Sequence, residues 1–148
     1  MISQTAEYAL RAMVFLAMQK GAVIGQDIAE ITKVPPGYLS KIMQQLVKGK
    51  LVHSQRGIGG GFILARTPNA ISILDVVNAV DPIERLTSCP LGIQSHGLNL
   101  CPLHKRLSEA TAHVEAAFAS SNLSELLEES KSPLCASVPL TPSEAARQ

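Results

Sequence analysis

Tryptophan is absent from this 148-residue sequence, and only three phenylalanines and two tyrosines accompany it. A core must therefore be filled by Leu, Ile, Val and Ala, a composition that favours helices. Long apolar runs are missing too: no stretch approaches the roughly 18 uninterrupted apolar residues of a membrane-crossing helix. The opening MISQTAEYALR carries Glu7 where a secretory leader needs positive charge and a cleavage site. A cytoplasmic protein with no membrane partner is expected. Cysteine is scarce and odd in number, so a disulfide framework is a poor reading, and Cys89, Cys101 and Cys135 are better taken as thiols or ligands.

Net charge is nearly absent at +1, but the small sum hides an asymmetry. Residues 1–66 hold eight Lys or Arg against three acids, and residues 67–148 hold five against nine. A basic first half suits a polyanionic partner, whereas an acidic second half suits a separate role such as oligomerisation or sensing. What is present in quantity is apolar residue, at 46%, enough for one domain, or a small domain with a helical extension, that folds without staples.

The apolar positions set out the elements. SQTAEYALRAMVFLAMQ places Ala6, Leu10, Met13, Val14 and Ala17 at three- and four-residue steps, an amphipathic helix that Ser3 or Thr5 can cap. After the Lys20-Gly21 break, Ile24, Ile28 and Ile31 fall on one side of a short helix. KVPPGYLSKIMQQLVKGK then opens with two prolines and a glycine, continues with Leu39, Ile42, Met43 and Leu46 at helical spacing, and stops at Gly49. Two short helices with a tight turn between them, the second carrying outward Lys and Gln, make a helix-turn-helix pattern.

GIGGGFILAR, residues 57–66, decides the subtype. A phosphate loop needs Lys-Ser or Lys-Thr after its glycines and a helix to follow, and a dinucleotide fingerprint needs GxGxxG opening a helix. Neither is met. LVHSQ and FILAR read as strands, so RGIGGG reads as the tip of a hairpin, a wing directly after the second helix, with Arg56 placed to reach a groove. Beyond it, Ile73, Val76, Val77 and Val80 lie on one face of a helix closed by Asp81-Pro82. A loop with two cysteines and two histidines follows, and a long helix then sets Leu103, Leu107, Ala110, Val114, Ala117 and Phe118 in a stripe suited to a partner helix.

The expected fold is mainly α with a small β wing. Residues 1–80 form a winged helix-turn-helix domain and 81–102 a cysteine-containing sensor loop. Residues 103–130 form a long dimerisation helix and a short terminal helix, and 131–148 a mobile tail. An enzyme using Cys101 and His104 as nucleophile and base is set aside, because no orienting acid, oxyanion device or cleft accompanies them. A constitutive DNA-architectural module shares the winged helix and stays open on the residues alone. His53 and His113 lack a ligand set and read as structural or solvent-facing, and Cys135 reads as incidental.

TAEYALRAMVFLA, PPGYLSKIMQQLVKGKLVHSQRGIGGGFILAR, LDVVNAVD and a loop containing CPLH together resemble the Rrf2 family of winged-helix regulators over roughly residues 1–130. The resemblance implies a homodimeric repressor that binds a near-palindromic double-stranded DNA operator. Its recognition helix would touch base edges through Gly37, Tyr38, Ser40 and Lys41. Arg56 would enter the minor groove from a wing tip shared with Gly59 and Gly60.

Cluster-binding members of the family place three cysteines at six-residue spacing and, in some, a histidine three after the last. Here Cys89, Ser95, Cys101 and His104 occupy those positions, so one thiolate is missing. A two-iron two-sulfur (2Fe-2S) cluster on Cys89, Cys101 and His104 needs a fourth ligand. The resemblance offers Glu7 of the partner protomer, with His96 as the alternative. Such a cluster would sense redox state, nitric oxide or iron–sulfur supply. A zinc site on Cys89, His96, Cys101 and His104 is a second reading, and a loop without metal, answering another ligand or partner, is a third.

Overall fold

The computed structural model describes residues 2–88 and 100–129. Six helices and one two-stranded antiparallel sheet follow in order among them: α1 (Gln4–Ala17), α2 (Gly25–Thr32), α3 (Pro36–Lys48), β1 (Val52–Gln55), β2 (Gly61–Leu64), a short 3-10 turn (Pro68–Ala70), α4 (Ile73–Val80), α5 (Pro102–Ser120) and α6 (Leu123–Glu129). The fold is mainly α with a small β wing, as its apolar spacing and glycine-rich hairpin imply.

α1 is the central element. Ser3 caps it by accepting the Ala6 N–H at 3.2 Å, which satisfies one of the amide donors that a helix start leaves unpaired. Its buried face is wider than the expected stripe: Ala9, Ala12, Phe15 and Leu16 join Ala6 and Met13 in the core, while Leu10, Val14 and Ala17 are partly buried. The small alanines let α2, α3, α4, α6 and β2 all approach the same helix.

α2 departs from its expected face. Ile28 is fully buried and Ile31 partly so, but Ile24 is half exposed, because it precedes the helix in extended conformation (φ −70°, ψ 149°) and so leaves the helical face. Its main chain is put to use elsewhere, since the segment just before it pairs with the wing. Val23 and Phe62 exchange two backbone hydrogen bonds of 2.9 and 2.7 Å. The wing is thereby fastened to the α1–α2 connection as well as to its own base, where the Ala65 N–H donates to the Leu51 carbonyl at 2.9 Å.

α3 starts at a rigid Pro35-Pro36 turn, Pro36 standing at the first helical position where its missing N–H costs nothing. Leu39, Ile42, Met43 and Leu46 are buried, as their spacing requires. At its end Gly49 caps the helix, yet the left-handed residue is Lys50 (φ 58°). The Leu51 N–H reaches the Leu46 carbonyl and the Lys50 N–H the Val47 carbonyl, both at 3.0 Å, the two bonds of a Schellman ending. Leu51, buried, seals it and leads into β1.

A Ser72–Asp75 capping box opens α4. α6 follows α5 in sequence but packs with the N-terminal core. The Leu123 N–H donates to Ile71 at 3.0 Å, the Ile73 N–H donates to Ser121 at 2.9 Å, and Leu123 is fully buried against the α1 cluster. The cysteine loop's Cys89 and His96, Ser95, and the tail with Cys135 lie outside the described residues.

Candidate nucleic-acid interface and cysteine–histidine pair

With one side of α3 buried, the other is obliged to face outward. Gly37, Tyr38, Ser40, Lys41, Gln44 and Lys48 are all exposed on it. Gly37 has nothing within 4 Å of where a Cβ would stand, so the main chain itself is open to a close-approaching partner there. Tyr38 is 56% exposed but not loose. Its ring meets Tyr8 of α1 edge-on, 6.3 Å between centroids at 75°, a geometry that aromatic quadrupoles favour. Tyr8 in turn accepts a 2.9 Å hydrogen bond from Gln4 and lies under the Arg11 guanidinium at 5.6 Å. The start of α3 is thus braced from α1, a role for Tyr8 and Arg11 that apolar periodicity alone does not reveal.

β1 and β2 pair from Val52↔Leu64 to Gln55↔Gly61, and the tip between them projects Arg56, exposed. Gly59 (φ +76°) is open at the tip, whereas Gly60 is crowded at its base, with no room for a Cβ between the Gln55 and Gly57 carbonyls. Gly61 (φ +139°) lies so close to the Val23 backbone that any side chain would collide with it. Gly59 therefore faces outward with Arg56, while Gly60 and Gly61 set the shape and position of the wing. The two candidate reading elements, the start of α3 and the tip of the wing, carry hydroxyls, amides and basic groups on rigid supports.

At the other end of the chain, Cys101 is the N-cap of α5 and Pro102 its first helical residue. One turn brings His104 round so that its Nδ1 stands 3.2 Å from Cys101 Sγ. The incoming segment docks on the same helix, the Ser108 hydroxyl donating to the Leu86 carbonyl at 3.0 Å and Arg85 pairing with Glu115 at 3.6 Å. Glu7 sits on α1, paired with Arg11 at 2.6 Å and partly exposed. Among the described residues no three His, Cys, Asp or Glu side chains converge, so the chain joins Cys101 to His104 but does not bring Glu7 to them. His53 is exposed on β1, and His113 Nδ1 contacts the Glu109 carbonyl at 2.7 Å within α5. Neither is drawn to the pair.

On α5 no described residue is buried, and Leu103, Leu107 and Val114 are 65, 49 and 42% exposed along one stripe. Phe118 alone of the expected stripe packs back on the core.

A helix-turn-helix with an outward second helix, a two-stranded wing tipped by arginine, and a separate exposed helix define a winged-helix DNA-binding transcription regulator rather than an enzyme. Residues 2–129 match the Rrf2 family model, described as an iron-dependent transcriptional regulator. The chain belongs to the Rrf2 family. Over 128 residues it is 30% identical to the transcriptional regulator IscR of Xenorhabdus nematophila, covering 85% of this chain and 78% of that one. Its fold is similar to that of IscR from T. potens (TM-score 0.72, 25% identity, 88% of each chain). It is equally similar to CymR, the global cysteine regulator of B. subtilis (TM-score 0.72, 25% identity, 87% of this chain and 97% of that one).

Proposed function

We propose that this protein is a cytoplasmic, homodimeric, sequence-specific repressor that senses redox state, nitric oxide or iron–sulfur supply through a two-iron two-sulfur cluster held at residues 89–104. Gly37, Tyr38, Ser40 and Lys41 read major-groove edges of one half-site of a near-palindromic operator. Arg56, with Gly59 and Gly60 beside it, reaches the adjoining minor groove, whose narrow A·T stretches concentrate negative potential. The exposed Leu103, Leu107 and Val114 stripe is covered by the α5 helix of a second copy.

The observation that carries the sensing half of this reading is the 3.2 Å approach of Cys101 Sγ to His104 Nδ1 at a helix start. Thiolate and imidazole are donors that iron–sulfur clusters accept, and the helical turn holds the two side by side without strain. These two residues fit such a group. Cys89 would supply the third ligand and Glu7 of the second protomer the fourth, with His96 as the alternative. When bound, the cluster supplies one-electron redox chemistry and a target for nitric oxide. Within the chain, Cys101 ties any change at the cluster to the N-terminus of α5. Arg11, which holds Glu7, contacts the Tyr8 ring that braces Tyr38.

Ser95 at the middle cysteine position favours a second reading, a loop that holds zinc on Cys89, His96, Cys101 and His104, or no metal at all. Anaerobic purification followed by visible absorption and by iron, sulfide and zinc analysis decides between them. The cluster reading expects colour with matched iron and sulfide, lost in Cys101→Ala, His104→Ala and Glu7→Ala. A colourless protein, with or without zinc, overturns it.

A further inference from the structure

Ile58 is 110% exposed, the most exposed large apolar side chain among the described residues. A lone surface isoleucine elsewhere needs no explanation, but this one stands at the outermost point of the wing, two residues from Arg56. The Gly60 N–H donates to the Gly57 carbonyl at 3.0 Å, closing a four-residue turn. Ile58 occupies its second position and Gly59, with positive φ, the third, where glycine is demanded. Nothing stands within 4 Å of a Cβ at Gly57 or Gly59, so the tip is one side chain wide. It is also firmly mounted. Gly60 is wedged between carbonyls, Gly61 abuts the Val23 backbone, and the Val23–Phe62 hydrogen bonds hold the wing base. A β-branched side chain adds its own stiffness.

We propose that Ile58 is a specificity-determining residue that enters the minor groove beside Arg56 and rejects base pairs carrying the guanine 2-amino group. The inference rests on the proposed DNA-reading role of the wing. A minor groove about 6 Å wide admits a tip of this profile between its sugar walls. On the groove floor an A·T pair offers only acceptors, which the neighbouring guanidinium can satisfy, whereas G·C adds a protruding donor. An isoleucine tip meets that donor as a steric bump and leaves it without a partner, a buried polar group with no hydrogen bond. Arginine attracts the narrow A·T groove, and isoleucine penalises the alternative. The two residues together make the wing a selector of A·T steps, not merely a phosphate clamp.

The test uses the full-length, anaerobically purified protein. The preferred duplex is first recovered from a random-sequence pool, and each A·T pair beneath the wing is then replaced by G·C or by inosine·C, which lacks the 2-amino group. Wild type is expected to lose about tenfold in affinity on one such G·C replacement and to recover it with inosine. Ile58→Ala, which removes no internal contact, is expected to cut that penalty to about threefold or less while keeping the same major-groove preference. An Ile58→Ala protein with unchanged affinity and an unchanged G·C penalty overturns the inference, as does uniform weakening on every duplex. If Arg56→Ala still weakens binding in those cases, the DNA-reading role of the wing survives without Ile58. If wild type enriches no sequence at all, both readings fall.

Discussion

α1 and α5 are the two longest helices, and they solve opposite problems. In α1, 14 residues long, six side chains are buried and every face but one is covered by its own chain. In α5, 19 residues long, none is buried, and leucines and a valine look outward. The difference shows that the chain closes its own core around α1 and leaves the apolar stripe of α5 uncovered, as the proposed second copy would require. Charge runs the same way, basic over residues 1–66, which hold α1 to α3 and the wing, and acidic over residues 67–148, which hold α5 and α6.

Substitutions in either region test that contrast. The largest effect is expected where the two regions meet: Leu123→Ala empties a fully buried site in the N-terminal core and should cost about 2–5 kcal/mol, read as a lowered thermal midpoint. A loss that large from a residue beyond α5 would show that the reader includes α6. Gly61→Ala forces a side chain onto the Val23 backbone and should cost about 2 kcal/mol or more, with DNA affinity falling while far-ultraviolet circular dichroism stays helical. Leu107→Glu on the outward face of α5 should leave the fold of each chain intact and weaken self-association about tenfold or more by sedimentation. Arg56→Ala should weaken operator binding about tenfold with no change in melting. The smallest effect is a gain: Lys50→Gly removes the left-handed penalty at the end of α3 and should stabilise by about 0.5–1 kcal/mol.

Much of the reader was legible in the sequence because its signals are periodic or compositional. Leu39, Ile42, Met43 and Leu46 fall inside at helical spacing, and the wing follows from glycines set between two strands. Four features escaped for physical reasons. The Val23–Phe62 pairing is a main-chain contact between distant segments and leaves no side-chain pattern. Ile24 continues the apolar spacing of α2 but stands outside the helix, since spacing does not mark where a helix begins. Gly49 marks where α3 stops, but the left-handed conformation falls one residue later, on Lys50, which no residue preference foretells. The short α6 helix reads from sequence as an appendage of α5, because only tertiary hydrogen bonds to Ile71 and Ile73 return it to the core.

The candidate sites divide likewise. The outward face of α3 follows once its buried face is known, and the Cys101–His104 approach follows from their three-residue spacing at a helix start. The Tyr8–Tyr38 brace does not, because it joins two helices far apart in sequence. Glu7 pairs with Arg11 four residues on, as helix geometry permits, and among the described residues it does not converge with Cys101.

In the proposed function the state of the Cys101–His104 pair controls what the surface formed by α3 and the wing binds. The most direct measurement titrates one selected duplex, anaerobically and at fixed salt, with metal-loaded and metal-free protein side by side. Affinities are expected to differ by about tenfold, within the usual range of coupling between distant sites, and the difference to be lost in Cys101→Ala. Equal affinity of the two forms, on this duplex and on every other tested, would contradict it.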